Sequence, residues 1–142
     1  MKKPIQIMLC LVLISLLSCG GKKSDMLIGT WKFEHGEFNT AMQKASPEMK
    51  ATLEAQFKEM NENMKKTYTW TFNKDGSSNA SYQGTAYKGK WTLSEDGKLL
   101  VSVMDVDGKK DTCRILELNP GKLTFTQTDE KGDLSTTTFV KP

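Results

Sequence analysis

The sequence predicts a mainly β protein: an eight-stranded antiparallel up-and-down barrel with one amphipathic helix between strands 1 and 2. Three observations carry this prediction. From Thr67 to Val140 polar and apolar residues alternate in short runs, the two-residue period of strands buried on one face. Turn signals separate the runs: Lys74-Asp75-Gly76, Gln83-Gly84, Glu95-Asp96-Gly97, Asp105-Val106-Asp107-Gly108, Asn119-Pro120-Gly121 and Glu130-Lys131-Gly132. One convincing stretch, opened by Ser46 and running to Lys66, has a helical period instead. A sheet of eight such strands hides its edges by closing on itself.

Ahead of the barrel lies an export signal. Lys2 and Lys3 precede a largely apolar run from Ile5 to Leu17, shorter than the ~20 residues needed to span a bilayer. The run ends in Leu16-Leu17-Ser18-Cys19, which resembles the bacterial lipobox. That resemblance implies cleavage before Cys19 and acyl chains, palmitate among them, on its sulfur and new amino group. One chain, at ~0.8 kcal/mol per buried methylene, anchors marginally, whereas two or more hold stably. The expected division is a lipoprotein signal peptide over 1–18, a lipidated tether over 19–25 and the barrel domain over 26–142. The segment Gly20 to Asp25 carries no acidic run resembling a surface-export tag. The expectation is therefore a cell-envelope protein, lipid-anchored in the outer membrane and facing the periplasm.

Met26 to Glu34 reads as strand 1, with Leu27, Gly29, Trp31 and Phe33 on one face. Ser46-Pro47-Glu48 opens the helix: the serine caps, the proline suits the first position and the glutamate meets the positive end of the dipole. Met49, Leu53, Phe57, Met60 and Met64 then form one apolar stripe, read as a lid. Thr67 to Phe72, Ser77 to Tyr82, Thr85 to Leu93, Leu99 to Met104, Asp111 to Leu118, the run around Leu123 and Phe125, and Leu134 to Val140 supply the other seven strands. The sixth has mixed faces, since Ile115 and Leu116 are adjacent and both apolar.

Composition excludes several functions. The chain has 20 basic and 17 acidic residues; without Lys2 and Lys3 the count is 18 against 17. No basic field exists for nucleic acid, and Arg114 is the one arginine. Cys10 leaves with the signal and Cys19 is acylated, so Cys113 has no disulfide partner. Glu34, His35 and Glu37 do not make a metal site, because neighbours in a strand face opposite ways and His35 is the one histidine. Asp105, Asp107 and Asp111 lack the distal glutamate of a calcium loop. No nucleophile–base motif points to an enzyme, and no cofactor is expected.

The mature chain resembles the small lipocalin-like lipoproteins of bacterial envelopes. The likeness rests on Cys19, Gly29-Thr30-Trp31, Phe72 with Asp75-Gly76, and Gly89-Lys90-Trp91 followed by Asp96-Gly97-Lys98-Leu99. The helix after strand 1 is similar in place to the lid of intracellular fatty-acid-binding proteins. The resemblance implies binding of a small apolar molecule. The candidate lining is Trp31, Phe33, Tyr68, Trp70, Phe72, Tyr87, Trp91 and Phe125, with room beside Ala80 and Gly89. If Leu116 and Leu118 face inward, the period places Arg114 inward too, where its guanidinium could clamp a carboxylate. If Cys113 and Ile115 face inward, Arg114 is in water. An eight-stranded barrel either holds one small ligand or is filled by its own side chains. The two functions left open are a membrane-anchored binder or carrier of a small hydrophobic ligand, and a solid structural or protein-interaction module at the membrane.

Overall fold

A computed structural model describes residues 22–142. The expected signal peptide and Cys19 lie outside the described residues. The elements are α1 (Lys23–Leu27), β1 (Gly29–Glu37), α2 (Asn39–Lys44), α3 (Pro47–Thr67), β2 (Thr69–Phe72), β3 (Ser77–Tyr82), β4 (Thr85–Leu93), β5 (Leu99–Met104), β6 (Lys110–Leu118), β7 (Lys122–Thr128) and β8 (Leu134–Val140). Each strand pairs antiparallel with the next, and β8 returns to β1, so the sheet is a closed barrel.

Turn chemistry sets the strand order. In four of the turns an aspartate carboxylate accepts the N–H two residues on: Asp75 from Ser77 (2.9 Å), Asp96 from Lys98 (3.0 Å), Asp107 from Lys109 (2.8 Å) and Asp129 from Lys131 (2.8 Å). Asn119 does the same for Gly121 (3.0 Å). These side chains substitute for a backbone acceptor and reverse the chain within a few residues. Gly76 and Gly97, at φ +86° and +70°, take the left-handed positions that follow.

Two segments differ from the sequence expectation. Strand 1 begins at Gly29 rather than Met26, because Lys23–Leu27 forms the short helix α1. Leu27 is fully buried, and its carbonyl accepts the Trp31 indole N–H at 2.7 Å, so α1 plugs one end of the barrel. The Lys141 ammonium locks the plug by donating to the Met26 and Ile28 carbonyls, both at 2.8 Å, and lies 4.7 Å from the Trp31 ring centre. The second difference is α2, in a stretch with no helical signal. It is held by tertiary bonds: Thr40 Oγ1 accepts from the Leu134 N–H, Thr136 Oγ1 donates to Asn39, and Lys44 pairs with Asp133 at 2.9 Å.

Helix α3 begins as its residues dictate, with Ser46 Oγ accepting the Met49 N–H at 3.3 Å and Pro47 in the first turn. Its position follows from a gap in the sheet. β1 pairs with β2 only over Gly29–Lys32, then with β8 over Lys32–Glu37. Past Lys32 the free edge of β1 is met by the end of α3: the Phe33 N–H donates to the Tyr68 carbonyl at 3.1 Å. Asn61, the buried residue of α3, bonds Gly36 a turn higher.

Inward-facing side chains fall into layers along the barrel axis. Leu27, Trp31, Phe72, Trp91, Leu100, Leu118 and Leu123 fill the plugged end. Above them, Phe33, Trp70, Phe125 and Phe139 form a ring cluster, with Phe125 and Phe139 stacked at 6.0 Å and Phe33 edge-on to Phe139 at 5.8 Å. Eight strands leave an interior just wide enough for such rings.

Candidate functional site

The packing stops short of the open end. A cavity of about 250 Å³ lies above the rings, bordered by β2 to β8 and by Met64 of α3. Trp70, Phe125 and Phe139 give it an apolar base, and Tyr68 and Ala80 an apolar side. Ser78, Ser102, Asp111, Gln127 and Thr137 give it polar groups. Strand register explains the combination. Ser102 sits opposite Asp111, Cys113 opposite Gln127, and Phe125 opposite Thr137, all on the inward face.

Burial dominates the titration of the two acidic hydrogens at the cavity, and Asp111 adds to it. Burial, with the charges at Cys113 and Asp111 adding to it, pushes the Tyr68 hydroxyl up to about 12. Burial and then Asp111 push the Cys113 thiol to about 12 as well. Both groups are therefore protonated at neutral pH, and Cys113 offers no thiolate nucleophile.

Over residues 27–125 the sequence matches the lipocalin-like domain family. The chain belongs to that family. No curated protein matches it. Among solved structures, the lipocalin-like barrel is similar to a DUF4847 family protein from Bacteroides vulgatus, with a TM-score of 0.52 and 14% identity, covering 84% of this chain and 96% of that one. At that identity the likeness extends to the fold alone.

The lipocalin-like barrel separates the residues singled out from the sequence. Tyr68, Trp70 and Phe125 border the cavity, as does Tyr87, which stands at the rim and is 39% exposed. Trp31, Phe72 and Trp91 belong to the plugged end. Phe33 packs behind Tyr68, with ring centres 6.1 Å apart. Of the helix stripe, Met64 reaches the cavity. Phe57 stacks on Phe38 at 4.3 Å outside the barrel, Leu53 and Met60 are half-buried, and Met49 is 56% exposed. Rather than roofing the mouth with its whole length, α3 joins the wall through its last turns.

Arg114 requires a correction. Its side chain is exposed, while Cys113 is 1% exposed and faces inward. A bulge between Ile115 and Glu117 shifts the register, so Cys113, Ile115 and Leu118 can all face in while Leu116 is 58% exposed. The inward clamp on a carboxylate therefore has no guanidinium.

At the end of β1, His35 Nε2 lies 3.7 Å from Glu37, and Glu34 pairs instead with Lys65 of α3 at 3.4 Å. Among the described residues no three metal-ligating side chains come together. Sequence reasoning missed Ser102, Asp111, Gln127 and Thr137 as cavity residues. Asp111, Gln127 and Thr137 share strand parity with Cys113, Phe125 and Phe139. Ser102 had no such signal: alternation puts Leu99, Val101 and Val103 on the apolar face, but Leu100 is the buried residue and Leu99 is 41% exposed. A second hollow, of about 550 Å³, lies outside the barrel against α2 and α3, with Phe38, Met42 and Phe57 on its floor.

Proposed function

We propose that this protein is a membrane-anchored envelope lipoprotein whose barrel binds or carries a small, largely hydrophobic ligand, and that it is not an enzyme. The observation carrying this reading is the cavity above Trp70 and Phe125, left open in a barrel whose other end is packed solid. Its volume of about 250 Å³ falls just below the ~300 Å³ at which drug-sized pockets begin. The ligand is accordingly small, of single-ring or short-chain size. Acyl chains on Cys19 attach the barrel to the outer membrane on its periplasmic side.

Native mass spectrometry of the chain from residue 20 onward tests the ligand, since the barrel and its core lie wholly within residues 22–142. A co-purified small molecule, displaced by adding an apolar competitor, is the expected result. A bare mass, with no uptake from a panel of small apolar compounds, would favour the second reading. In that reading the barrel is an interaction module, and the hollow floored by Phe38, Met42 and Phe57 is its working surface. The anchor is tested separately by membrane fractionation. Cys19→Ala should move the protein to the soluble fraction, and a variant still partitioning with membranes would refute the anchor.

A further inference from the structure

We infer that the cavity takes a small amine: an ammonium head seated at Asp111 above an apolar body lying on Trp70 and Phe125. This rests on the ligand-binding reading and names the ligand class within it.

Charge placement carries the inference. Asp111 is inward on β6, in step with the buried Cys113, and borders the cavity. Among the described residues it has no ion-pair partner: the pairs formed are His35–Glu37, Lys44–Asp133, Lys65–Glu34, Lys109–Glu130 and Lys122–Glu117. Asp111 also borders an outer hollow shared with Lys109, Lys110 and Arg114, and none of these cations pairs with it. Lys109 is engaged with Glu130, and Lys110 and Arg114 are exposed. Lys88 also borders the cavity but holds the outward parity between Tyr87 and the buried Gly89, and is itself exposed. The cavity therefore presents, at its edge, a carboxylate that pairs with no cation among the described residues.

A carboxylate so placed repels an acid and attracts an ammonium. A primary ammonium has three N–H donors to satisfy. Asp111 accepts one in a charge-assisted bond, the stronger kind. Ser102, directly across the strand pair, and Gln127, opposite Cys113, carry the other two acceptors. The rings beneath accept the apolar remainder, and the volume admits a single ring on a short chain.

Three probes of one shape separate the terms: 2-phenylethylamine, 2-phenylethanol and 3-phenylpropionate, titrated calorimetrically at pH 7 into the chain from residue 20 onward. The amine should bind roughly tenfold or more tighter than the alcohol, and the acid most weakly. Asp111→Asn should collapse the amine-to-alcohol ratio towards one, while Asp111→Glu should keep the amine ahead. Equal binding of amine and acid, or an unchanged ratio in Asp111→Asn, overturns the amine assignment and leaves the ligand reading intact. Binding of none of the three overturns the amine assignment, and the mass-spectrometric panel then decides the ligand reading separately. A misfolded Asp111→Asn is recognised by its loss of alcohol binding, and the wild-type ranking and Asp111→Glu then decide.

Discussion

Asn61 of α3 bonds both backbone groups of Gly36 in β1: its Oδ1 accepts the Gly36 N–H at 2.7 Å, and its Nδ2 donates to the Gly36 carbonyl at 3.0 Å. The primary amide presents the donor and acceptor that a neighbouring strand would have offered. It stands where β2 no longer reaches, since β1–β2 pairing ends at Lys32. Asn61 is 8% exposed, so water does not readily replace it. Removing it leaves two backbone groups short of partners at a buried site, a loss of about 2 kcal/mol. Asn61→Ala should lower the urea midpoint by that loss divided by the slope, with the slope unchanged, and should speed amide exchange at Gly36. An unchanged midpoint would mean that α3 is held by its apolar contacts alone.

Tyr68 and Cys113 impose a pH limit. Both titrate near 12 in the folded barrel, against ordinary values of 10.0 and 9.0. A group whose folded value is raised binds its proton more tightly in the native state. Its contribution is complete below the unfolded value and is lost as pH rises towards the folded one. Stability should therefore fall between about pH 9 and pH 12. Cys113→Ala removes one of the two groups and should flatten the first part of that decline, which melting temperatures measured across this range would record. Alkylation of the native protein at pH 8 should be slow, and fast after unfolding.

Arg114 lies outside the barrel and makes no ion pair among the described residues. Arg114→Ala should change stability by no more than ~0.5 kcal/mol. It should also leave the affinity for 3-phenylpropionate where it was. A severalfold loss of acid binding would restore an inward guanidinium.

What the sequence revealed, and what it hid, follows from how local each signal is. The turns were readable because Asp75, Asp96, Asp107, Asn119 and Asp129 act on N–H groups two residues away. Helix α3 was readable for the same reason, its cap and stripe lying within its own sequence. β6 was ambiguous because alternation assumes an unbroken ladder, and the bulge after Ile115 resets parity between Arg114 and Leu118. Helix α2 was invisible because Asn39, Thr40 and Lys44 are held by Thr136, Leu134 and Asp133, almost a hundred residues away. The site was legible in its aromatic base but not in its polar rim. Asp111 opens the sixth strand, whose faces alternation leaves undecided, and the register of the β5–β6 hairpin sets it opposite Ser102 on the inner face.

At Gly89 the backbone of β5 lies close against β4. A Cβ there would overlap the Val103 carbonyl oxygen and come within 3.4 Å of the Met104 Cα. These are backbone atoms, so no side-chain rotation relieves them, and the two strands would have to part. The position is buried and borders the cavity. Gly89→Ala should cost about 1–3 kcal/mol through this overpacking, read as a lower urea midpoint. Gly121→Ala is the matched comparison. Gly121 lacks a positive φ, and the nearest atom to its Cβ would be Asn119 Oδ1 at 4.0 Å. There the added methyl should be neutral or stabilise slightly, by restricting the unfolded chain. Equal effects of the two substitutions would mean that glycine at position 89 serves chain flexibility rather than the close contact of β4 with β5.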